Sequence, residues 1–433
     1  MASFNRRFIS VSPFSARGDR YGRLTFVLVA LALGGCALHS PAVAHARQPP
    51  PPPPPKLSGA SGFAARLYDQ LRGQRGNLFF SPASIRMALA LTYAGAAGET
   101  ATQLRLGLGL PDGDAAHAAM AATRERWQSL DEPPQLGFPR VELRVTNRLW
   151  SQRGLHLQPP FLAIARDRYG APPGEVDFEH DRDASRREIN RWVSEQTEHE
   201  IAELIPPGVL DADTRLVLVN TVYFNARGTA PFAPRDTQTA PFLGAGHAVE
   251  VQLMRQKSDL SYADLEGGQL LQLDYGDGKL TMDVILPDSV DGLGKLEQQL
   301  VDGALADWLA RLRLTSVDVA LPRFRSSAQL SLKPLLEAMG MPLPFDRGAA
   351  DFSAITGARG LFLGEALHQA VIAVDENGTA AAAATAIVGE DIADLVVTQH
   401  AVFRADHPFL YLIRERGSDE ILFLGRLVDP GRP

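Results

Sequence analysis

Few residues in this chain have the types and spacings that catalysis needs. No Gly-x-Ser-x-Gly elbow presents a serine nucleophile. His199-Glu200 lacks a second histidine four residues on, so it makes no zinc-protease helix. Gly278-Lys279-Leu280 fails as a phosphate loop at both ends, and Gly107 and Gly109 are too isolated to cradle a nucleotide. Cys36 is the only cysteine, which leaves nothing for thiol catalysis or a zinc cluster in the body of the chain. No catalytic residue, metal or cofactor is expected. The stretch with chemical promise is of another kind, one whose own peptide bond could be a substrate. Glu376 to about Val397 reads ENGTAAAAATAIVGEDIADLVV. From Thr379 to Gly389 it carries no proline and no charge, and nothing larger than Ile387 and Val388.

Those properties suit a bait loop that becomes a new strand once cut. A strand entering the middle of a sheet gains ladder hydrogen bonds on both edges, each contributing roughly 0.5–1.5 kcal/mol net. With about fourteen residues entering, the gain is on the order of 10–20 kcal/mol, comparable to the ~5–15 kcal/mol that holds a typical domain together. Proline would break such a ladder. On period-2 alternation, Thr379, Ala381, Ala383 and Thr385 share one face, and all are small enough to face a packed core. Gly378 supplies backbone freedom for a hinge. Taken alone, the alanine run reads more readily as a helix than as a bait loop, since alanine is the best helix former.

The neighbours decide between these readings. Residues 361–375, LFLGEALHQAVIAVD, alternate as a strand leading into the loop. Further back, residues 62–71 have an amphipathic helical pattern. Residues 77–80 read as a short buried strand, and Ser81-Pro82 opens a helix with proline in its first turn. That helix carries Ile85, Met87, Leu89 and Leu91 and is apolar nearly all round, so it should be buried. The chain has 433 residues, 45% hydrophobic and 21% charged, with a net charge of −7. This balance suits a sizeable globular core, and the mild acidity argues against nucleic-acid binding.

The start of the chain reads as an export signal. Arg17, Arg20 and Arg23 precede the apolar run 24–33, which is too short to span a bilayer. Leu33-Gly34-Gly35-Cys36 follows and resembles a bacterial lipobox, whose cysteine is lipidated and becomes the new N-terminus. Residues 37–56 form a tether in which seven prolines, Pro49 to Pro55, make a stiff spacer of roughly 20 Å. The expected location is the cell envelope, periplasmic or at the cell surface, or outside the cell. The only membrane association expected is through the lipid.

Across the body the motifs resemble those of the serpins, the serine-protease-inhibitor superfamily. NLFFSPASIRMALALTYAGAAGET (77–100) is similar to the family's second helix and its flanks. Thr146-Asn147-Arg148-Leu149-Trp150 resembles a long strand after the early helices, and residues 189–205 resemble the helix lying across the main sheet. LVNTVYFNARGTAPF (218–232) is similar to the central strand, residues 273–288 to a hairpin, and LPRF (321–324) to a later strand of the main sheet. FRADHPFLYLI (403–413) matches the C-terminal signature.

The resemblance implies an α+β fold: one domain over 57–433 with three β-sheets, a large central sheet A, eight or nine helices and an exposed reactive-centre loop at about 376–397. It implies a suicide substrate. A protease cuts the loop, the loop's first half enters the sheet, and the protease is trapped as a covalent acyl-enzyme. Serpin loop insertion is itself the standing example of such strand addition. Such a chain is no enzyme, and a monomer is expected. The hinge falls on Glu376, Gly378, Thr379, Ala381, Ala383 and Thr385. Counting from Glu376, the reactive bond is Ile392-Ala393, with Asp394 and Leu395 as alternatives; counting back from Pro408 gives Val397. Ile392 or Leu395 suits an elastase-, chymotrypsin- or papain-like protease, whereas nothing near suits a trypsin-like one. Ser81, Ser84, Asn220 and His368 match the polar shutter beneath the opening sheet. The chain departs from the family at Gly228, where a tryptophan is usual, and at 197–200, which lacks the usual Gly-Lys. The alternative is a non-inhibitory serpin acting as a binding or structural protein.

Overall fold

The computed structural model describes residues 58–130, 141–197, 199–211, 213–226, 228–244, 246–376, 400–418 and 420–431. All lie in one unit, Pro54–Pro433. The export signal, Cys36, the tether and loop residues 377–399 fall outside the described residues.

Fourteen strands are described: β1 (Leu78–Phe80), β2 (Val141–Gln152), β3 (Gly174–Val176), β4 (Leu216–Ala226), β5 (Gln238–Leu243), β6 (Ala248–Leu265), β7 (Gly268–Tyr275), β8 (Leu280–Pro287), β9 (Arg313–Pro322), β10 (Phe324–Ser331), β11 (Glu365–Val374), β12 (His400–Arg404), β13 (Phe409–Glu415) and β14 (Ile421–Leu427). They form two hydrogen-bonded sheets. The larger runs β1-β14-β13-β8-β7-β6-β9-β12, with β5 also on β6. The 18-residue β6 joins what would otherwise be two sheets: its first part pairs β5, and its remainder pairs β9 and β7. The smaller sheet is five-stranded, in the order β10-β11-β4-β2-β3.

Ten α-helices are present among the described residues, the first six being α1 (Gly59–Leu71), α2 (Pro82–Gly95), α3 (Gly98–Leu108), α4 (Asp114–Leu130), α5 (Pro159–Asp167) and α6 (Arg182–Gln196). Helix α2 starts as its sequence dictates. The Ser81 hydroxyl accepts from the Ser84 N–H at 3.2 Å, and Pro82 occupies the first turn, where no N–H partner is needed. Twelve of its fourteen residues are buried, so it is a core helix rather than a surface one.

The five-stranded sheet is covered on both faces, and the alternation of β4 sorts its residues between them. Val217 and Val219, with Leu367 and Val371 of β11, pack against Ile189 and Val193 of α6. Leu218, Val222 and Phe224 face the main core together with α2. The motif LPRF spans a change of sheet: Leu321 and Pro322 end β9 in the large sheet, while Phe324 opens β10 in the small one. Proline at a strand end removes no interior ladder bond, which explains the break there. Gly425 on β14 lets the Tyr411 ring lie against its backbone; a Cβ at that position would sit 2.4 Å from the ring.

Candidate functional site: a seam between parallel strands

At the middle of the small sheet, β4 and β11 run parallel as direct neighbours, in register from Glu365 opposite Val217 to Ile372 opposite Phe224. Their other neighbours, β2 and β10, pair antiparallel. The seam is the sheet's one parallel contact between long strands, and parallel ladders are slightly weaker per residue than antiparallel ones.

A row of polar side chains crosses this seam. In register, Asn147 of β2 lies opposite Asn220 of β4, and Asn220 opposite His368 of β11. All three point toward the start of α2. The Ser81 backbone N–H donates to His368 Nε2 at 3.1 Å. That nitrogen must therefore be unprotonated, and Nδ1 carries the hydrogen and donates to Asn220 Oδ1 at 2.5 Å. The Asn220 amide donates to Ser84 Oγ at 2.6 Å and also to Asn147 Oδ1. The Ser81 hydroxyl donates to the Leu422 carbonyl of β14. Ser81, Ser84, Asn220 and His368 are all at most 2% exposed. Burial drives the His368 pKa down to about 3, so the ring is neutral at any physiological pH. The Ser81–His368 contact makes no nucleophile–base pair, because the hydroxyl points elsewhere and the ring accepts a main-chain N–H. Chemically the cluster is a latch. It ties β2, β4, β11, α2 and β14 at one point across the seam.

A second tie lies where β11 runs out. Glu376 is 2% exposed and takes hydrogen bonds from the Arg323 guanidinium and the Thr237 hydroxyl. Burial alone would raise this carboxyl, but the bonds from Arg323 and Thr237 outweigh it and hold it below the usual range. The glutamate is thus anchored as a carboxylate to the β9–β10 junction and to the start of β5.

Of the residues that sequence reasoning assigned, the structure brings Ser81, Ser84, Asn220 and His368 together. It places Glu376 at the end of β11. Gly378, Thr379, Ala381, Ala383, Thr385, Ile392, Ala393, Asp394 and Leu395 lie outside the described residues. Three members went unforeseen. Asn147 stood in a quoted motif, and its place on the α2 face follows from pairing with Asn220. Arg323 and Thr237 lie 53 and 139 residues from Glu376, and no local pattern marks them. At Gly228 the backbone bridges to Tyr275, whose ring packs edge-on against Phe224 at 5.6 Å. Among the described residues no group of three or more His, Cys, Asp or Glu could hold a metal, and no helix is long and apolar enough to cross a membrane.

The family model described as "Serpin (serine protease inhibitor)" matches residues 58–430. The chain is a serpin. Among curated relatives, this serpin is 38% identical over 370 residues to an uncharacterised serpin-like protein of Thermococcus kodakarensis, covering 86% of this chain and 84% of that one. It is 36% identical over 388 residues to leukocyte elastase inhibitor A of Rattus norvegicus, covering 87% of this chain and all of that one. The human leukocyte elastase inhibitor is 35% identical over 364 residues, at 82% and 93% coverage. Among solved structures, uncleaved ovalbumin superposes with a TM-score of 0.75 at 27% identity, over 86% of this serpin and all of that chain. Serpin48 of Tenebrio molitor, described as highly specific, gives 0.73 at 29% identity, over 86% and 96%.

Proposed function

We propose that this serpin inhibits an endopeptidase as a suicide substrate. The observation that carries the reading is the closed parallel seam. A chain leaving the end of β11 at Glu376 and turning back would run antiparallel to β11, and hence also antiparallel to β4. Insertion there replaces one parallel ladder with two antiparallel ones. The polar latch gives the seam a definite point that must part. The segment entering is residues 378 to about 392, cut at Ile392-Ala393 or close to Asp394 and Leu395.

The target is an elastase-like enzyme first, with chymotrypsin-like and papain-like enzymes next. Support comes from the apolar residues at the assigned bond and from relatives named for leukocyte elastase inhibition. Export with lipidation at Cys36 would hold the inhibitor at the cell envelope on its proline tether. The test is incubation of the purified chain with pancreatic elastase, chymotrypsin and papain. A denaturation-stable adduct carrying the N-terminal fragment that ends at Ile392, with a released peptide starting at Ala393, is the expected result. Clean cleavage without adduct would overturn the inhibitory reading.

A further inference from the structure

The chain returns from residues 377–399 to the body at His400, where β12 begins. β12 is an edge strand: among the described residues it pairs with β9 alone, in parallel, over His400–Arg404. Five residues of parallel ladder on one side make a weak hold, and such edges open more readily than interior strands. The linker after the strand fastens it further. The Ala405 N–H donates to the Ala320 carbonyl at 2.9 Å, and the Leu243 N–H at the end of β5 donates to the Asp406 carbonyl at 2.7 Å. His407 comes next, 9% exposed. Its ring lies between two oxygens: Nδ1 is 3.0 Å from Asp406 Oδ1, and Nε2 is 2.8 Å from the Pro287 carbonyl at the end of β8.

A neutral imidazole has one N–H and one lone pair, so it can donate to only one of these oxygens. Its lone pair would then face an oxygen lone pair. The doubly protonated ring donates to both, so the geometry selects the imidazolium. Asp406 is the charged group that acts on the ring, and Arg404 holds the other carboxylate oxygen at 2.5 Å. Against the pull of burial, the bonds from His407 and Arg404 keep the Asp406 carboxyl below its usual range. From β8 the ring meets main chain, and Asp288 beyond Pro287 acts on Tyr262 instead. From β5 the contact is the Leu243 N–H on the linker backbone. Burial alone would lower the pKa of the ring, but the bonds to Asp406 and Pro287 outweigh it and hold it above the ordinary 6.5.

We propose that His407 is a proton-operated clamp on β12, the strand that receives the chain from residues 377–399. Doubly protonated, it ties the linker to β8 and keeps β12 on β9. As the pH rises it loses a proton to solvent, sets a lone pair against an oxygen, and lets β12 loosen from the sheet. A ring that binds its proton more tightly folded than unfolded contributes stability that is fully present below about pH 6.5. That contribution is lost as the pH rises through the folded-state value. The clamp needs no cut in the loop, so it stands or falls separately from the inhibitory reading.

The test follows the ring-nitrogen shifts of the full chain, labelled at histidine, by NMR, with the His407→Gln spectrum assigning the signal. Expected at about pH 6 is a ring protonated at both nitrogens, titrating above the ordinary value of about 6.5. Hydrogen exchange read by mass spectrometry, corrected for the intrinsic rate, reports on the strand itself. Between about pH 6 and 9 the protection of β12 should fall about fivefold or more, while that of β4 stays level. In His407→Gln this pH dependence should vanish. Asp406→Asn is the second variant, should the first not fold. It removes the charge and keeps the ring, so the titration of His407 and the loss of β12 protection should move together to lower pH. A merely structural contact would not move either. A singly protonated ring at about pH 6 would overturn the proposal. So would β12 protection that stays level with pH in the wild type, that falls equally in His407→Gln, or whose pH dependence is unmoved in Asp406→Asn.

Discussion

His199 has φ of 65°, the left-handed region that favours glycine, and it is the only non-glycine residue there among those described. It closes α6: its N–H donates to the Ser194 carbonyl at 2.8 Å, and its ring meets the Ser194 hydroxyl at 3.0 Å. A left-handed side-chain residue costs about 1–2 kcal/mol, part of which the serine contact returns. His199→Gly should therefore stabilise the protein by about 0.5–1 kcal/mol, read as a higher urea midpoint at unchanged slope. His368 sets a pH dependence. Its folded-state pKa of about 3 lies below the ordinary 6.5. Folding takes the neutral ring, so the stabilisation is fully present above about pH 6.5. It declines as the pH falls from there toward 3, by about 1.4 kcal/mol per unit. None of its hydrogen-bond partners titrates. His368→Gln should flatten the stability curve between pH 6 and 4 relative to wild type. Parallel curves for the two proteins would show that the ring does not titrate between the folded and unfolded states.

At the scale of elements, the parallel contact of β4 and β11 is the feature on which the proposed function turns, and its members were unevenly legible. The Ser81-Pro82 opening and all-round apolar pattern marked α2, because caps and periodicity are local. The alternation of 361–375 marked β11, although the strand itself starts at Glu365. That Leu321 and Pro322 belong to one sheet and Phe324 to another was not legible, because the choice of sheet depends on partners far along the chain. The same holds for Asn147, Arg323 and Thr237, which join their sites only through register or through contacts across many residues. The bait loop makes its prediction at this scale as well. With Thr379 on the inserting face, Thr379→Arg would require a charge to enter the core between β4 and β11. This variant should be cleaved by elastase at the wild-type rate yet yield little or no stable adduct, seen by gel electrophoresis. Trapping equal to wild type would show that the inserting face has been assigned wrongly.

For the whole molecule, the proposed function requires that the closed five-stranded sheet is not the most stable arrangement available to the chain. Two new antiparallel ladders along about fourteen residues would contribute on the order of 10–20 kcal/mol, less the parallel β4–β11 ladder they replace and the cost of parting the latch of Asn147, Asn220, His368 and the two serines. Under the proposed suicide-substrate reading, that latch would hold the closed sheet until the loop is cut, a barrier more than a preference. On that reading, cutting the loop would free the strand without altering any residue of the body, so the two forms would differ only in whether the sheet has taken it up. The most direct measurement is the melting temperature of intact chain beside chain nicked within 376–397 by a non-target protease. A rise of more than about 20 °C on nicking is the result this account predicts; a nicked form melting at or below the intact one would contradict it.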